Sequence, residues 1–133
     1  MHVDIKRGDA TTYAVLLEDA ASLGFTPDEI AAAVAEKRKS AVSAECRRRI
    51  YSAASAEAQM NMATAAAITS AKAEVDRTDD DKTVLDGVHL ALAWVSDMRA
   101  AFEALAADPD ADFMSDAAWP ALPPDVPALI DRF

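Results

Sequence analysis

Small and apolar residues fill positions 27–75, and after Pro27 this stretch contains no Gly or Pro. Thr26-Pro27-Asp28-Glu29 opens it as a helix start: a side-chain acceptor at the N-cap, a ring that pre-sets φ at the first position, and a carboxylate that reaches back to the cap. As one helix, residues 27–75 would run about 70 Å, more than twice the diameter of a small domain. A three-four spacing follows it through Cys46, Ile50, Ala53, Glu57, Met60, Thr64, Ala67 and Ala71, beside a second line of Ala54, Asn61, Ile68 and Val75. Polar Glu57, Asn61 and Thr64 interrupt a seam of mostly small residues. In a coiled coil such a polar layer fixes register or oligomer state at a cost in stability. The plainer reading is an Ala-rich helix packed on the next helix of its own chain.

The flanking patterns are shorter. Residues 1–10 set Val3 and Ile5 among polar neighbours and read as an extended arm ending at Gly8-Asp9, suited to adding an edge strand to a partner. Residues 11–23 read as a helix through Tyr13, Leu16, Leu17 and Ala20, closed by Gly24, with Phe25 stapling the next helix. So tight a turn makes an αα-hairpin that meets Ile30 and Val34. Residues 82–107 carry the cleanest period, with Val84, Val88, Ala91, Val95, Met98, Phe102 and Leu105 stepping by four and three. Leu85, Leu92 and Trp94 widen that face, so this helix packs on more than one neighbour. Gly87 costs about 1 kcal/mol against Ala in a helix, which points to a close approach or a later helix start.

Residues 108–133 hold five of the six prolines, interleaved with Phe113, Trp119, Leu122, Val126, Ile130 and Phe133. Proline resists helix and sheet alike, so this is an extended strap laid on the helices. The expected fold is all-α in one domain, residues 1–133: a long central helix, shorter helices packed antiparallel at both ends, and a Pro-rich extended C-terminal strap.

Composition sharpens this picture. The chain is 52% hydrophobic, which is globular rather than disordered, but alanine supplies much of that and buries little per residue. A thin core follows, best anchored in the last third, where both tryptophans lie with Phe102, Phe113 and Phe133. The net charge is −10; residues 1–75 carry 10 acidic and 9 basic side chains, residues 76–133 carry 13 and 4. Such a surface repels nucleic acid and anionic membranes. The N-terminus has no apolar signal-peptide core, no run is long and apolar enough to span a bilayer, and a lone cysteine needs no oxidising compartment. Synthesis in the cytoplasm is expected, with neither nucleic acid nor membrane as partner.

No reaction-bearing constellation emerges. His2 and His89 form no pair at metal or triad spacing. Cys46 stands beside Arg47, Arg48 and Arg49, which would lower a thiol pKa, but no positioned base is evident and a small buried cysteine is the simpler reading. Asp108, Asp110, Asp112 and Asp116 have the alternate spacing of a calcium loop, yet Phe113 and Trp119 stand where the glycine and the bidentate glutamate belong. Asp76, Asp79, Asp80 and Asp81 suit helix capping. Lys37-Arg38-Lys39 and Arg47-Arg48-Arg49 ring the rod, solvated or paired with acidic groups of a neighbouring subunit. No catalytic, cofactor or metal site is expected.

Two stretches resemble known proteins. Ser43-Ala44-Glu45-Cys46-Arg47-Arg48-Arg49-Ile50, followed by Gln59-Met60-Asn61-Met62, resembles the Glu-x-x-Arg-Arg-Ile segments of small proteins encoded beside tailed-phage tail-fibre genes. Leu92-Ala93-Trp94 with Met98-Arg99, then an acidic turn and Trp119-Pro120-Ala121-Leu122-Pro123, looks like the ending of phage tail-fibre-assembly and tail-assembly-chaperone-like proteins. The sequence lacks an obvious β-rich N-terminal module of the kind some of these carry, which leaves a transient chaperone and a resident subunit both open. The resemblance implies a non-enzymatic structural or assembly component of a phage tail, resident in the virion, with Trp94, Trp119 and Pro120 structural or partner-contacting.

Lengths favour self-association. Residues 82–107 span about 39 Å and residues 11–23 about 20 Å, leaving part of the rod uncovered unless a dimer or trimer clothes it. The expected contact residues are Ile50, Glu57, Met60, Asn61, Thr64, Ile68, Trp94, Met98, Phe102, Trp119 and Pro120. The alternative is a monomeric helical chaperone, adaptor or regulator that binds a partner protein.

Overall fold

Val3 and Ile5 find their partner within the chain. In the structure, a computed structural model that describes residues 1–133, β1 (His2–Arg7) and β2 (Ala10–Leu16) form an antiparallel hairpin. The helix expected over residues 11–23 is thus a strand followed by tight turns, and the fold is mostly helical rather than all-α. Thr11, Thr12, Tyr13 and Val15 are β-branched or aromatic and suit a pleated surface, and pairing satisfies backbone groups on both segments. Gly8, at φ +60°, takes the first central position of the two-residue turn. The ladder slips between Val3 and Ile5 because β2 carries an extra residue, a bulge. There Ala14 adopts φ +53°, and its N–H donates to Asp4 Oδ1 at 2.8 Å.

Residues 17–24 turn back to the first long helix, α1 (Pro27–Ala53), whose start matches the sequence signal. Thr26 accepts from the Glu29 N–H, and Glu29 accepts from the Thr26 N–H, a reciprocal capping box. The Glu29 carboxylate also receives two bonds from Arg7 at 2.7 Å, tying the hairpin to the helix start. Phe25, Ile30 and Val34 pack against Val3, Ile5, Val15, Ala20 and Ala33. The contact expected at Ile30 and Val34 is therefore made by a hairpin instead of a helix.

The rod of residues 27–75 is broken. Ala54 is extended, Ser55 caps a new helix by accepting from the Ala58 N–H, and α2 runs over Ala56–Ala71. Gln59 Nε2 closes the break by donating to the Ala54 carbonyl at 2.8 Å. A continuous helix, at 100° per residue, would have kept Glu57, Met60 and Thr64 on the same face as Cys46 and Ile50. That face lies on the third helix, α3 (Asp79–Ala107), where an unpaired glutamate would cost several kcal/mol, on the order of 3 or more. The break re-phases the chain by about half a turn. Ala58, Met62 and Thr69 turn inward, and Glu57, Met60 and Thr64 turn to solvent.

α3 is the spine. Thr78 and Asp81 form its capping box, so it starts three residues before the expected Lys82, and Lys72 pairs with Asp81 at 2.9 Å. Its seam residues from Val84 to Leu105 are all buried or half-buried. Arg38 reaches Leu105 and Cys46 reaches Met98, so α1 and α3 run antiparallel, and α2 covers the other half of α3. α1 extends beyond α3 at its N-terminal end, where β1 covers it. The C-terminal residues 108–133 return across the bundle and end in a short helix, α4 (Asp125–Ile130), so the strap expected to be extended is helical over its last part. Gly87 marks where α4 comes close: a Cβ there would lie 2.7 Å from Leu129 Cδ2.

Only 21 of 133 residues are buried, 15 of them in three separate clusters of five, which is the thin core that alanine implies. The accessible surface is 8639 Å², against about 6,700 Å² for a compact monomer of this mass.

Two stability predictions follow from the N-terminal geometry. Left-handed φ costs a non-glycine residue about 1–2 kcal/mol, so Ala14→Gly should stabilise by about 1 kcal/mol net of chain entropy, read as a rise in melting temperature. Arg7, and then the Thr26 N–H, hold the Glu29 carboxyl down to about 2 from its ordinary 4.5. A lowered folded-state pKa gives stability that is full above pH 4.5 and lost as pH falls toward 2. Thermal melts of wild type and Glu29→Gln across that range should differ most above pH 4.5 and converge toward pH 2.

Candidate functional site

Two arginines from the basic groups hold the strap. Arg38 donates to the Leu105 carbonyl at 2.9 Å, satisfying an orphan of the last turn of α3, and to the Ala111 carbonyl at 2.9 Å. Its guanidinium lies over the Phe113 ring, 5.3 Å from the centroid, inside the roughly 6 Å within which a cation is held by a ring face. Arg49 donates to the Met114 carbonyl at 3.0 Å, pairs with Asp116 at 2.8 Å and stacks on Trp119 at 5.6 Å. Asp116 is fully exposed, so its ion pair adds little, and the carbonyl and ring contacts matter more. Arg48 and Arg49 also neutralise buried Glu45, whose carboxyl lies below its usual range chiefly through Arg48. The basic groups are thus bonded largely within the chain, and Lys39 and Arg47 are its exposed remainder.

The tryptophans complete the attachment. Trp94 Nε1 donates to the Pro120 carbonyl at 3.1 Å and Trp119 Nε1 to the Phe113 carbonyl at 2.7 Å. Both rings are buried with Val42, Cys46 and Met98, and Phe102 packs against them. Burial pushes the Cys46 thiol up, partly opposed by Arg99, and its Sγ donates to the Met98 carbonyl at 3.6 Å. A raised thiol pKa is the opposite of what a nucleophile needs.

Where α1 ends and α2 begins, the break, α3 and the strap enclose a groove of about 440 Å³ lined by 14 residues, 13 of them hydrophobic. Ile50, Met62, Val88, Trp94, Val126 and Ile130 contribute from all four helices. Gln59, the polar member, has its amide committed to Ala54. The groove therefore offers apolar contact and no reacting group. Leu92, at its rim, is 62% exposed.

The expected contact residues divide in two. Ile50 and Trp94 line the groove; Met98, Phe102, Trp119 and Pro120 join α3 to the strap inside the chain. Glu57, Met60, Asn61, Thr64 and Ile68 stand exposed on α2, with Asn61 donating to the Phe133 carbonyl at 3.3 Å. The acidic residues of the strap serve its turns: Asp108 accepts from the Asp110 N–H and Asp112 from the Met114 N–H. Asp80 pairs with Arg132 across to α4. The sequence carries no signal for the groove, because it forms at a helix break that lacks Gly or Pro. No helix is long and apolar enough to cross a membrane. No protein-family model matches the chain, and no curated protein matches it.

Removing the strap's anchor tests its structural role. Trp119→Ala should cost about 3 kcal/mol, the usual loss for a buried tryptophan. Limited proteolysis should then cut within residues 108–124, and a variant as resistant as wild type would show the strap to be held elsewhere.

Proposed function

We propose that this protein is a non-enzymatic structural or assembly component that works through helical protein–protein contacts, and that its assembly is a tailed-phage tail, at or near the fibre. The observation that carries the reading is the surplus of surface: about 1,900 Å² beyond a compact monomer of this mass, with Met60, Ile68 and Leu92 each more than 60% exposed. Large apolar side chains left exposed on so open a surface are what a partner covers in a complex. The phage-tail assignment is supported by the resemblance of the Trp94 and Trp119 segments and by that of the Glu45–Arg49 region. Residence in the virion is part of this reading, as the resident-subunit form of the same resemblance. An acidic chain of net charge −10 fits protein partners better than nucleic acid or anionic membrane.

A second reading, a monomeric helical chaperone or adaptor, is favoured by the groove, whose apolar walls suit side chains of an amphipathic partner segment. The broken rod removes the length argument for self-association, so the two readings now turn on exposed surface alone.

The test is co-expression of the tagged chain with the products of the genes that flank its own. Stable copurification with a tail or fibre protein is the expected result. Elution alone against every neighbour, from a folded sample, would remove the tail reading.

A further inference from the structure

We propose that the groove at the break between α1 and α2, with a two-arginine mouth beside it, binds a fatty acid: the hydrocarbon chain lies in the groove and Arg47 and Arg99 hold the carboxylate. This goes beyond the assembly reading and does not depend on it. Next to the groove, between α1 and α3, is a second cavity of about 360 Å³, and the two share Ile50, Gln59 and Val95 as walls. Arg47 lines this mouth from α1 and Arg99 from α3. The other arginines, Arg7, Arg38, Arg48, Arg49, Arg77 and Arg132, all donate hydrogen bonds within the chain. Arg47 and Arg99 donate none and are in no ion pair, in a chain with 23 acidic side chains and with Glu103 one turn along α3 from Arg99. Arg47 stacks on Tyr51 at 5.3 Å, which orients its guanidinium and leaves the N–H edge free. The two arginines whose donors the fold does not use thus line one cavity, and an anion is their complement, a carboxylate above all because it accepts from a guanidinium in bidentate fashion. The net charge of −10 opposes this only weakly, since distant exposed charges are screened beyond about 8 Å at physiological salt.

The groove selects the rest of the ligand. Its volume of about 440 Å³ falls within the roughly 300–1,000 Å³ of small-molecule sites, which are apolar with a few convergent polar groups. Gln59, its polar member, has its amide N–H on the Ala54 carbonyl, so the walls offer no free donor. A hydrocarbon chain leaves nothing unpaired there, whereas an extended peptide would bring backbone N–H and C=O groups that these walls cannot satisfy. A short carboxylate would engage the arginines and forgo the groove.

Calorimetry of the full chain with dodecanoate, below its micelle concentration, should give one ligand per chain, and affinity should rise about threefold per methylene from octanoate upward. Arg47→Gln combined with Arg99→Gln should weaken dodecanoate about tenfold and leave dodecanol unchanged. Both arginines are exposed, so circular dichroism should not change. Ala63→Phe, which fills the groove, should abolish binding of acid and alcohol alike. Trp94 walls the groove and Trp119 does not, so ω-bromododecanoate should quench one tryptophan and spare the other. Absence of binding, many ligands per chain, or binding indifferent either to the arginine pair or to Ala63→Phe overturns the proposal and leaves the groove to the partner segment of the second reading.

Discussion

Alanine-rich helices bury too little side chain to hold one another, and the fold depends on what compensates for that. The compensation is the return of the strap across α1 and α3, with Trp94 and Trp119 each burying a ring and placing the indole N–H on a strap carbonyl. A tryptophan buries on the order of 200 Å², several times what an alanine can. Strip this contact away and α1 meets α3 through Val42, Cys46, Met98 and a few half-buried residues. Arg38 and Arg49 add to it by carrying charge onto carbonyls and aromatic faces in one stroke, which explains why basic side chains sit at the middle of a chain that is otherwise acidic.

Such an architecture has three modest cores rather than one. The hairpin core is joined to the rest chiefly through α1, since β1 contacts that helix beyond the end of α3. The Arg7–Glu29 pair and the Lys37 bond to the His2 carbonyl fasten it from outside. Small separate cores open locally at less cost than a single large one. They also leave much surface uncovered, so the same shortage of bulky side chains that makes the strap necessary makes a partner useful.

Features carried by local chemistry were legible in the sequence: the Thr26 capping box, the seam of α3, the aromatic last third, and a strap laid on the helices. Each depends on residues within a turn or two of one another, or on a period long enough to be unambiguous. The hairpin was not legible because Tyr13, Leu16, Leu17 and Ala20 happen to match a helical period, and strand pairing is decided by a partner segment rather than by spacing. Gly87 gave a true signal of close approach, though the element approaching is α4 and not a second long helix. The candidate surface was half legible. The three-four period of its residues was plain in the sequence, but which way they face depends on Ser55, whose capping role has no glycine or proline to advertise it.

That serine decides how the long segment is used. With α1 and α2 continuous, one stripe would run unbroken along α3, and glutamate and threonine would be pressed into the thinnest part of the core. Interrupting the helix for two residues lets a single sequence period face inward in α1 and outward in α2. The fold thereby keeps Cys46 and Ile50 for itself and releases Met60, Thr64 and Ile68. Because the released face makes few bonds to the rest of its chain, it is free to change without loss of the fold, whereas the groove beside it, walled by Trp94 and Val126, is not. One side of α2 thus serves the fold while the other stays exposed, and the break between α1 and α2 is the device that separates them.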